Sequence, residues 1–226
     1  MWAKAVAAAD VVIAGNDYLA SHAMAVTSKS KVHVIPSCIE PSHYSAKSKY
    51  DVGATPVAIW VGSPGTEPYL QTVAPALLKL NKSIGLRLVI VSSGNAELGP
   101  LQPMVDRVEW SLSRVGAEMV KADVGIMPML DDPWTRGKCG YKLLQYAAAG
   151  LPCVGSPVGV NRQVLSNIGG RSASPAPEWA EQILDLIEMG QRERRSLGTR
   201  MSAAVRRHYS YEAWGPAWRE AVLGRG

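Results

Sequence analysis

ADVGIMPMLDDPWTRGKCGYKLLQYAAAGLPCVGSPVGV (122–160) reads as one strand–loop–helix–strand unit. Its opening, DVGIMPM (123–129), is a short apolar run. A strand buried on both faces of a parallel sheet shows such continuous rather than alternating hydrophobicity. YKLLQYAAAG (141–150) predicts a helix that ends at Gly150, a favoured residue at a helix C-terminus. LPCVGSP (151–157) predicts a further strand that leaves through Gly and Pro.

The same alternation extends outward from this unit. Upstream, strands are expected at VVIAG (11–15), KVHVIPS (31–37), VAIWVG (57–62), LRLVIVSSG (86–94) and RVEW (107–110). Helices are expected over about 16–26 and 113–121, and Leu70, Val73, Leu77 and Leu80 recur at helical spacing over 68–81. Downstream, a short helix near 161–166 precedes a mostly helical stretch from 177 to 223. Between the second and third strands, EPSHYSAKSKYDVGATP (40–56) is polar, aperiodic and rich in Ser, Lys and Pro, and reads as a linker. Alternation of this kind defines an α/β chain with a parallel sheet and helices on both faces. Ligands of such sheets sit at the carboxyl ends of the strands. The loops that matter are therefore 62–66, 92–95, 110–113, 129–140 and 155–161.

Composition narrows the function. With 47% apolar and 19% charged residues among 226, the chain is an ordinary globular one, about one and a half domains long. No apolar run is long enough to span a bilayer, and Asp10 interrupts the alanine-rich N-terminus, which argues against a signal peptide. Cys38, Cys139 and Cys153 form no disulfide or zinc pattern, so a reducing, cytoplasmic setting is expected. Dinucleotide and phosphate-loop fingerprints are missing: Gly62-Ser-Pro-Gly65-Thr lacks the second glycine spacing, and there is no GK[ST]. The net charge of +5 lies largely in QRERRSLGTR and VRRHYS (191–210), which reads as a solvated helix face. Nucleic acid is not an expected partner. The four histidines have no arrangement that suggests catalysis.

The order of these segments resembles the donor-binding half of the group 1 (family 4) retaining glycosyltransferases, whose GT-B fold sets two Rossmann-like domains face to face. KLLQYAAAGLPCVGSPVGV (142–160) is similar to the family's LLEAMACGLPVVAS segment and the Gly-rich turn after it. VAIWVGSPGT (57–66) resembles the opening of the donor domain, 9–44 the end of the first domain with its crossover, and YSYEAWGPAWREAV (209–222) the closing helix. The resemblance implies a remnant of an N-terminal acceptor domain over 1–44, a linker at 45–56, a nucleotide-sugar-binding Rossmann-like domain over 57–208, and a C-terminal helix over 209–226 that packs back on the N-terminal part. It also implies that the awkward length is what remains when a two-domain transferase lacks most of its first half.

Two departures bear on the site. The family has two glutamates eight positions apart; Gly137 and Gln145 stand there. The amide oxygen of Gln145 remains an acceptor for ribose hydroxyls, whereas Gly137 replaces a carboxylate with nothing. The cations that normally follow the first donor-domain strand are also absent, because the loop reads Ser63-Pro-Gly-Thr66-Glu67. Positive charge gathers instead at Arg136, Lys138 and Lys142, around the start of the 141–149 helix. Lys138 and Arg136 are therefore the candidate catalytic residues, acting on the leaving diphosphate. Gly62, Ser63, Gly65, Thr66, Gly140, Tyr141, Lys142, Gln145 and Asn161 are the candidate substrate-binding residues. Trp110, Ser111 and Leu112 fall where the family's backbone meets the nucleobase, and core packing is an equal reading of Trp110. Asp131 and Asp132 read as a turn or cap before Pro133. No metal and no cofactor are expected.

The reaction implied is transfer of a sugar from a nucleoside-diphosphate sugar to a hydroxyl of a saccharide or lipid-linked acceptor with retention, in polysaccharide or glycan biosynthesis. Peripheral contact with the inner membrane face goes with that expectation. A missing N-terminal domain is the expected further partner, so the isolated chain should bind donor weakly and transfer poorly. The lost acidic positions leave open a non-catalytic nucleotide-sugar-binding or partner-binding module.

Overall fold

A computed structural model describes residues 1–224. An N-terminal lobe contains helix α1 (Trp2–Ala8), strand β1 (Val12–Ala14), helix α2 (Asp17–Met24) and strand β2 (Val32–Val34). β1 and β2 pair in parallel, Val12 opposite Val32 and Ala14 opposite Val34. Val6, Ala14, Ala20, Ala23 and Val32 form a small core of their own.

The larger lobe follows as β3 (Val57–Val61), α3 (Ala74–Ile84), β4 (Arg87–Ser92), β5 (Val105–Glu109), α4 (Leu112–Met119), β6 (Val124–Met127), α5 (Pro133–Arg136), α6 (Tyr141–Ala148), β7 (Cys153–Gly155), α7 (Asn161–Ile168) and β8 (Arg171–Ser172). Three helices close the chain: α8 (Ala176–Glu188), α9 (Gln191–Tyr209) and α10 (Tyr211–Leu223). The six strands β3–β8 make one parallel sheet in the order β5-β4-β3-β6-β7-β8. β6 is buried along its whole length and β3 at all but its first residue, as their apolar runs require. α3 packs against α8, and α6 against α7 and α9. The α/β reading and the Rossmann-like architecture are what the structure has.

Some local expectations are corrected. The 68–81 segment is not one α-helix: the chain follows a tighter 3-10 path over Pro64–Val73, and α3 begins at Ala74. Pro68 has no N–H to give to an α-helical ladder, and Pro75 is tolerated only because it lies in the first turn of α3. Leu70, Val73, Leu77 and Leu80 are nonetheless all buried. The helical stretch after 177 is three helices, with α9 starting after Gly190 and α10 capped by Ser210, whose Oγ accepts the Ala213 N–H at 3.0 Å. The two-residue β8 and the alanine-rich α1 carry no expectation from the sequence.

Segment 45–56 has neither helix nor strand, yet it is fastened to the larger lobe. Buried Lys47 donates from Nζ to the carbonyls of Val120 (2.8 Å) and Ala122 (2.7 Å). Buried Tyr50 donates to the Gly150 carbonyl at 2.9 Å. Ile39 donates its N–H to the Tyr209 carbonyl at 2.9 Å, which ties the crossover to the junction of α9 and α10. The proposed closing segment runs to 226, and its last two positions lie outside the described residues.

Candidate functional site

β3 is the first strand of the six, yet it lies inside the sheet, with β4 and β5 on one side and β6, β7 and β8 on the other. This is the 3-2-1-4-5-6 order, and its crevice opens at the carboxyl ends of the two strands flanking the reversal. Those strands are β3 and β6. Their pairing is confined to Ala58 opposite Val124 and Ile59 opposite Gly125. Beyond it a side chain takes over. Val61 donates its N–H to the Tyr146 hydroxyl at 3.1 Å, and that hydroxyl donates to the Ile126 carbonyl at 3.2 Å. A Cβ at Gly125 would lie 2.6 Å from the Tyr146 ring, so glycine is what admits the wedge. Burial pushes the Tyr146 phenol far above its ordinary range, which keeps it a neutral donor.

The crevice is lined by Trp60, Thr66 and Tyr69 from the β3 side, Met127, Pro128 and Met129 from the β6 side, and Lys138 and Lys142 above. The Lys142 Nζ lies 5.3 Å from the centre of the Trp60 ring and the Lys138 Nζ 5.7 Å from that of Tyr69. Each is within cation–π range. The Trp60 ring reaches across Gly62, where any Cβ would meet the ring and would stand 2.9 Å from Lys142 Cε. Burial, then the neighbouring Lys138 charge, pull the Lys142 ammonium down to about 8. Two cations held together with no carboxylate among the lining residues form a place for an anion. With the lysines over the rings only about 10 Å³ is free. Larger spaces lie elsewhere: an apolar groove of about 490 Å³ between Ile13, Ile35 and the α10 aromatics, and a cleft of about 450 Å³ between α2 and α7. Strand order and charge, rather than size, select the β3–β6 crevice.

The loop after β3 is a tight turn. Thr66 sends its N–H (2.9 Å) and its hydroxyl (3.0 Å) to the Ser63 carbonyl. Ser63 and Gly65 are exposed, and nothing crowds Gly65. Glu67 turns away from solvent and is fully buried. Arg107 meets its Oε2 with both guanidinium nitrogens at 3.2 Å, and also binds the carbonyls of Gly94 (3.0 Å) and Ala96. The acidic residue that stands where cations were expected is thus a brace between two loops.

The structure divides the other predicted residues. Lys138, Lys142 and Thr66 converge on the crevice with Gly62 at its edge. Arg136 does not join them: its guanidinium is held on the surface by both carboxylate oxygens of Asp131, at 2.6 and 3.1 Å. Asp132 caps α5 in a reciprocal arrangement with Thr135, in keeping with a capping role. Gly140 has φ +68° at the start of α6, a left-handed conformation that suits glycine, and no side chain caps that helix. Gln145 donates from Nε2 to the Tyr44 hydroxyl at 3.1 Å, which leaves its Oε1 as an acceptor. Burial and a hydrogen bond with Tyr44 push the Tyr141 phenol up to about 12. Asn161 is fully buried, with Nδ2 on the Ser156 carbonyl at 3.2 Å and on the sulfurs of Met127 and Met129. Its Oδ1 has no partner and would lie 3.1 Å from a Cβ on Gly140, so Asn161 backs the turn from below. Trp110 and Leu112 are exposed rather than core, and Ser111 caps α4.

Sequence reasoning missed Trp60, Tyr69, Tyr44 and the Glu67–Arg107 brace. Trp60 looked like an ordinary core residue, and only its position two before Gly62 hinted at a ring that needs room. Among the described residues no group of three or more His, Cys, Asp or Glu is placed to hold a metal, and no helix is long and apolar enough to cross a membrane.

A six-stranded parallel sheet of this order, with helices on both faces, is the Rossmann-like architecture of a GT-B domain. The family model for group 1 glycosyl transferases matches residues 55–189, and the chain belongs to that family. No curated protein matches the chain. Among solved structures, sucrose-phosphate synthase from Thermosynechococcus elongatus superposes with a TM-score of 0.75 at 17% identity, covering 99% of this chain and 61% of the other. Anabaena HepE in complex with UDP and glucose gives 0.76 at 14% identity, covering 96% and 64%. The UDP-forming α,α-trehalose-phosphate synthase of Burkholderia xenovorans gives 0.73 at 15%, covering 98% and 62%. The chain thus spans under two thirds of the length of each of these proteins.

Proposed function

We propose that this chain is the donor-binding part of a glycosyltransferase that moves a sugar from a nucleoside-diphosphate sugar to a hydroxyl of a saccharide or lipid-linked acceptor, with retention and without a cofactor, in polysaccharide or glycan assembly at the cytoplasmic face of a membrane. The convergence of Lys138 and Lys142 on the β3–β6 crevice carries the reading. As the bond from the anomeric carbon to the diphosphate breaks, the leaving oxygen gains negative charge, and fixed cations stabilise it. Lys138 and Lys142 supply that charge, the free amides at the start of α6 add their dipoles, and Thr66 offers a hydroxyl. Gln145 Oε1 accepts from the ribose. Residues 1–44 serve on the acceptor-domain side, 45–56 as linker, 57–208 as donor domain and 209–226 as closing helix. That HepE was solved with UDP makes UDP the first probe.

Calorimetric titration with UDP, other nucleoside diphosphates and their sugars tests the reading. Lys138→Ala should weaken the best-bound nucleotide by about tenfold or more, the size of one lost charge-assisted hydrogen bond. Unchanged affinity would remove Lys138 from the site. The lack of a carboxylate among the crevice residues favours a second reading, a module that binds nucleotide sugar without transferring it. Nucleotide binding with neither hydrolysis nor transfer would support that one.

A further inference from the structure

Asn16 sits in the N-terminal lobe, 122 positions before Lys138, and is 4% exposed. Its Oδ1 accepts the Leu19 N–H at 2.8 Å and caps α2. Its Nδ2 crosses to the other lobe, donating to the Lys138 carbonyl at 3.1 Å, with a longer 3.5 Å approach to the Arg136 carbonyl and a contact with Cys139 Sγ at 3.7 Å. The amide orientation is fixed by chemistry: a backbone N–H demands the oxygen and two carbonyls demand the nitrogen. The surroundings are fitted to this crossing. Gly15 leaves the space that Cys139 Sγ occupies. A Cβ on Gly137 would stand 3.3 Å from Leu19 Cδ2 of α2. On the far side Gly159, at φ +54°, packs so closely that its Cβ would stand 2.8 Å from the Arg136 carbonyl oxygen. The 136–139 loop is therefore clamped by main-chain contacts between α2 and the loop after β7.

From this we infer that Asn16 is a positioning residue for Lys138, acting from the N-terminal lobe. One amide group closes two structures at once, the first turn of α2 and the loop that carries the lysine. The order of that loop, and with it the pose of the ammonium over Tyr69, depends on how the lobes meet. The inference rests on the proposed role of Lys138 for its effect on nucleotide binding, but not for its effect on the loop.

Asn16→Ser separates the two jobs. Serine is as good a helix cap as asparagine, but it has no NH2 to send across. Unfolding midpoints should fall by no more than about 2–4 °C, the share of one neutral hydrogen bond. Hydrogen exchange of the 136–140 backbone, read by mass spectrometry on the full chain without ligand, should speed up about fivefold, the worth of one neutral hydrogen bond. UDP affinity should fall by a similar factor. Asn16→Asp, which also caps but only accepts, should loosen the loop at least as much. Exchange in 136–140 that stays at the parent rate in both variants overturns the inference, whatever nucleotide does. Faster exchange with UDP affinity unchanged overturns its link to binding if Lys138→Ala weakens UDP. If Lys138→Ala also leaves UDP unchanged, the proposed anion site fails, and the loop-holding role of Asn16 stands on the exchange data.

Discussion

The loop leaving β3 and the loop entering α6 face one another across the crevice, and each holds what the other lacks. The first, over 63–67, has hydroxyls, a bare glycine and one acidic residue turned inward onto Arg107. With Trp60 before it and Tyr69 after it, it supplies a floor of two rings. The second has two lysines laid over those rings. Charge and platform come from segments some 70 residues apart in sequence (Tyr69 to Lys138), and neither makes an anion site alone. An acidic residue at the β3 exit is compatible with the proposed diphosphate site because Glu67 is fully buried and its charge is answered from behind.

The sharpest way to break this picture is to remove that answer. Arg107→Ala leaves the Glu67 carboxylate buried with no counter-charge, and one of its oxygens, Oε1, already lacks a partner. Breaking such a pair costs about 3–5 kcal/mol, and the partial exposure of Arg107 places this case near about 3. For a chain of this size the thermal midpoint should drop by roughly 6–12 °C. Glu67→Gln, which removes the charge and keeps the shape, should cost less. A drop of only a degree or two in Arg107→Ala would mean that the two loops are braced by packing alone.

The next effect sharpens the role of the second loop. Free Lys142 titrates at about 8 because burial and the Lys138 charge disfavour its ammonium form. A bound diphosphate favours that form, so binding must take up a proton above about pH 8. Affinity should be flat below pH 8 and then fall by up to about tenfold per pH unit. Stability runs the other way. The unfolded lysine, near 10.4, holds more protons than the folded one between about 8 and 10, so this group makes stability rise with pH across that window. Calorimetry at pH 8.5 in two buffers of different ionisation heat measures the uptake. Lys142→Arg, always charged, should abolish it. Equal proton uptake in both proteins would place the titrating group elsewhere.

The strands were legible because parallel strands bury both faces and so leave continuous apolar runs such as VAIWV and VGIM. The end of α6 was legible because Gly150 takes φ +71°. The spacing of Leu70, Val73, Leu77 and Leu80 fits a 3-10 turn running into an α-helix as well as it fits one helix; only Pro68 and Pro75 mark the change. For the site, Lys138 and Lys142 were visible as charges in a ligand loop, since loops at the strand ends are few. Arg136 was equally visible, but an aspartate five residues away claims it, and sequence alone does not rank that contact against a ligand. Asn16, Tyr44 and Arg107 act over 122, 101 and 40 positions, distances at which spacing carries no signal.

The smallest effect concerns Gly137, where the resemblance to the family implies a carboxylate. Gly137 has ordinary backbone angles, φ −75° and ψ −9°, so alanine there adds no strain and restricts the unfolded chain, a gain of about 0.4–1 kcal/mol. Against that, the new Cβ would stand 3.3 Å from Leu19 Cδ2 and 3.4 Å from the Trp134 carbonyl oxygen. The leucine tip is flexible and gives way easily, whereas the carbonyl is main chain. The two terms nearly cancel, so Gly137→Ala should change stability by less than about 0.5 kcal/mol and UDP affinity by less than about twofold. A tenfold loss of affinity with unchanged stability would show that even a methyl group between α2 and the loop shifts Lys138. Glycine at this position would then be required by the fit between the lobes.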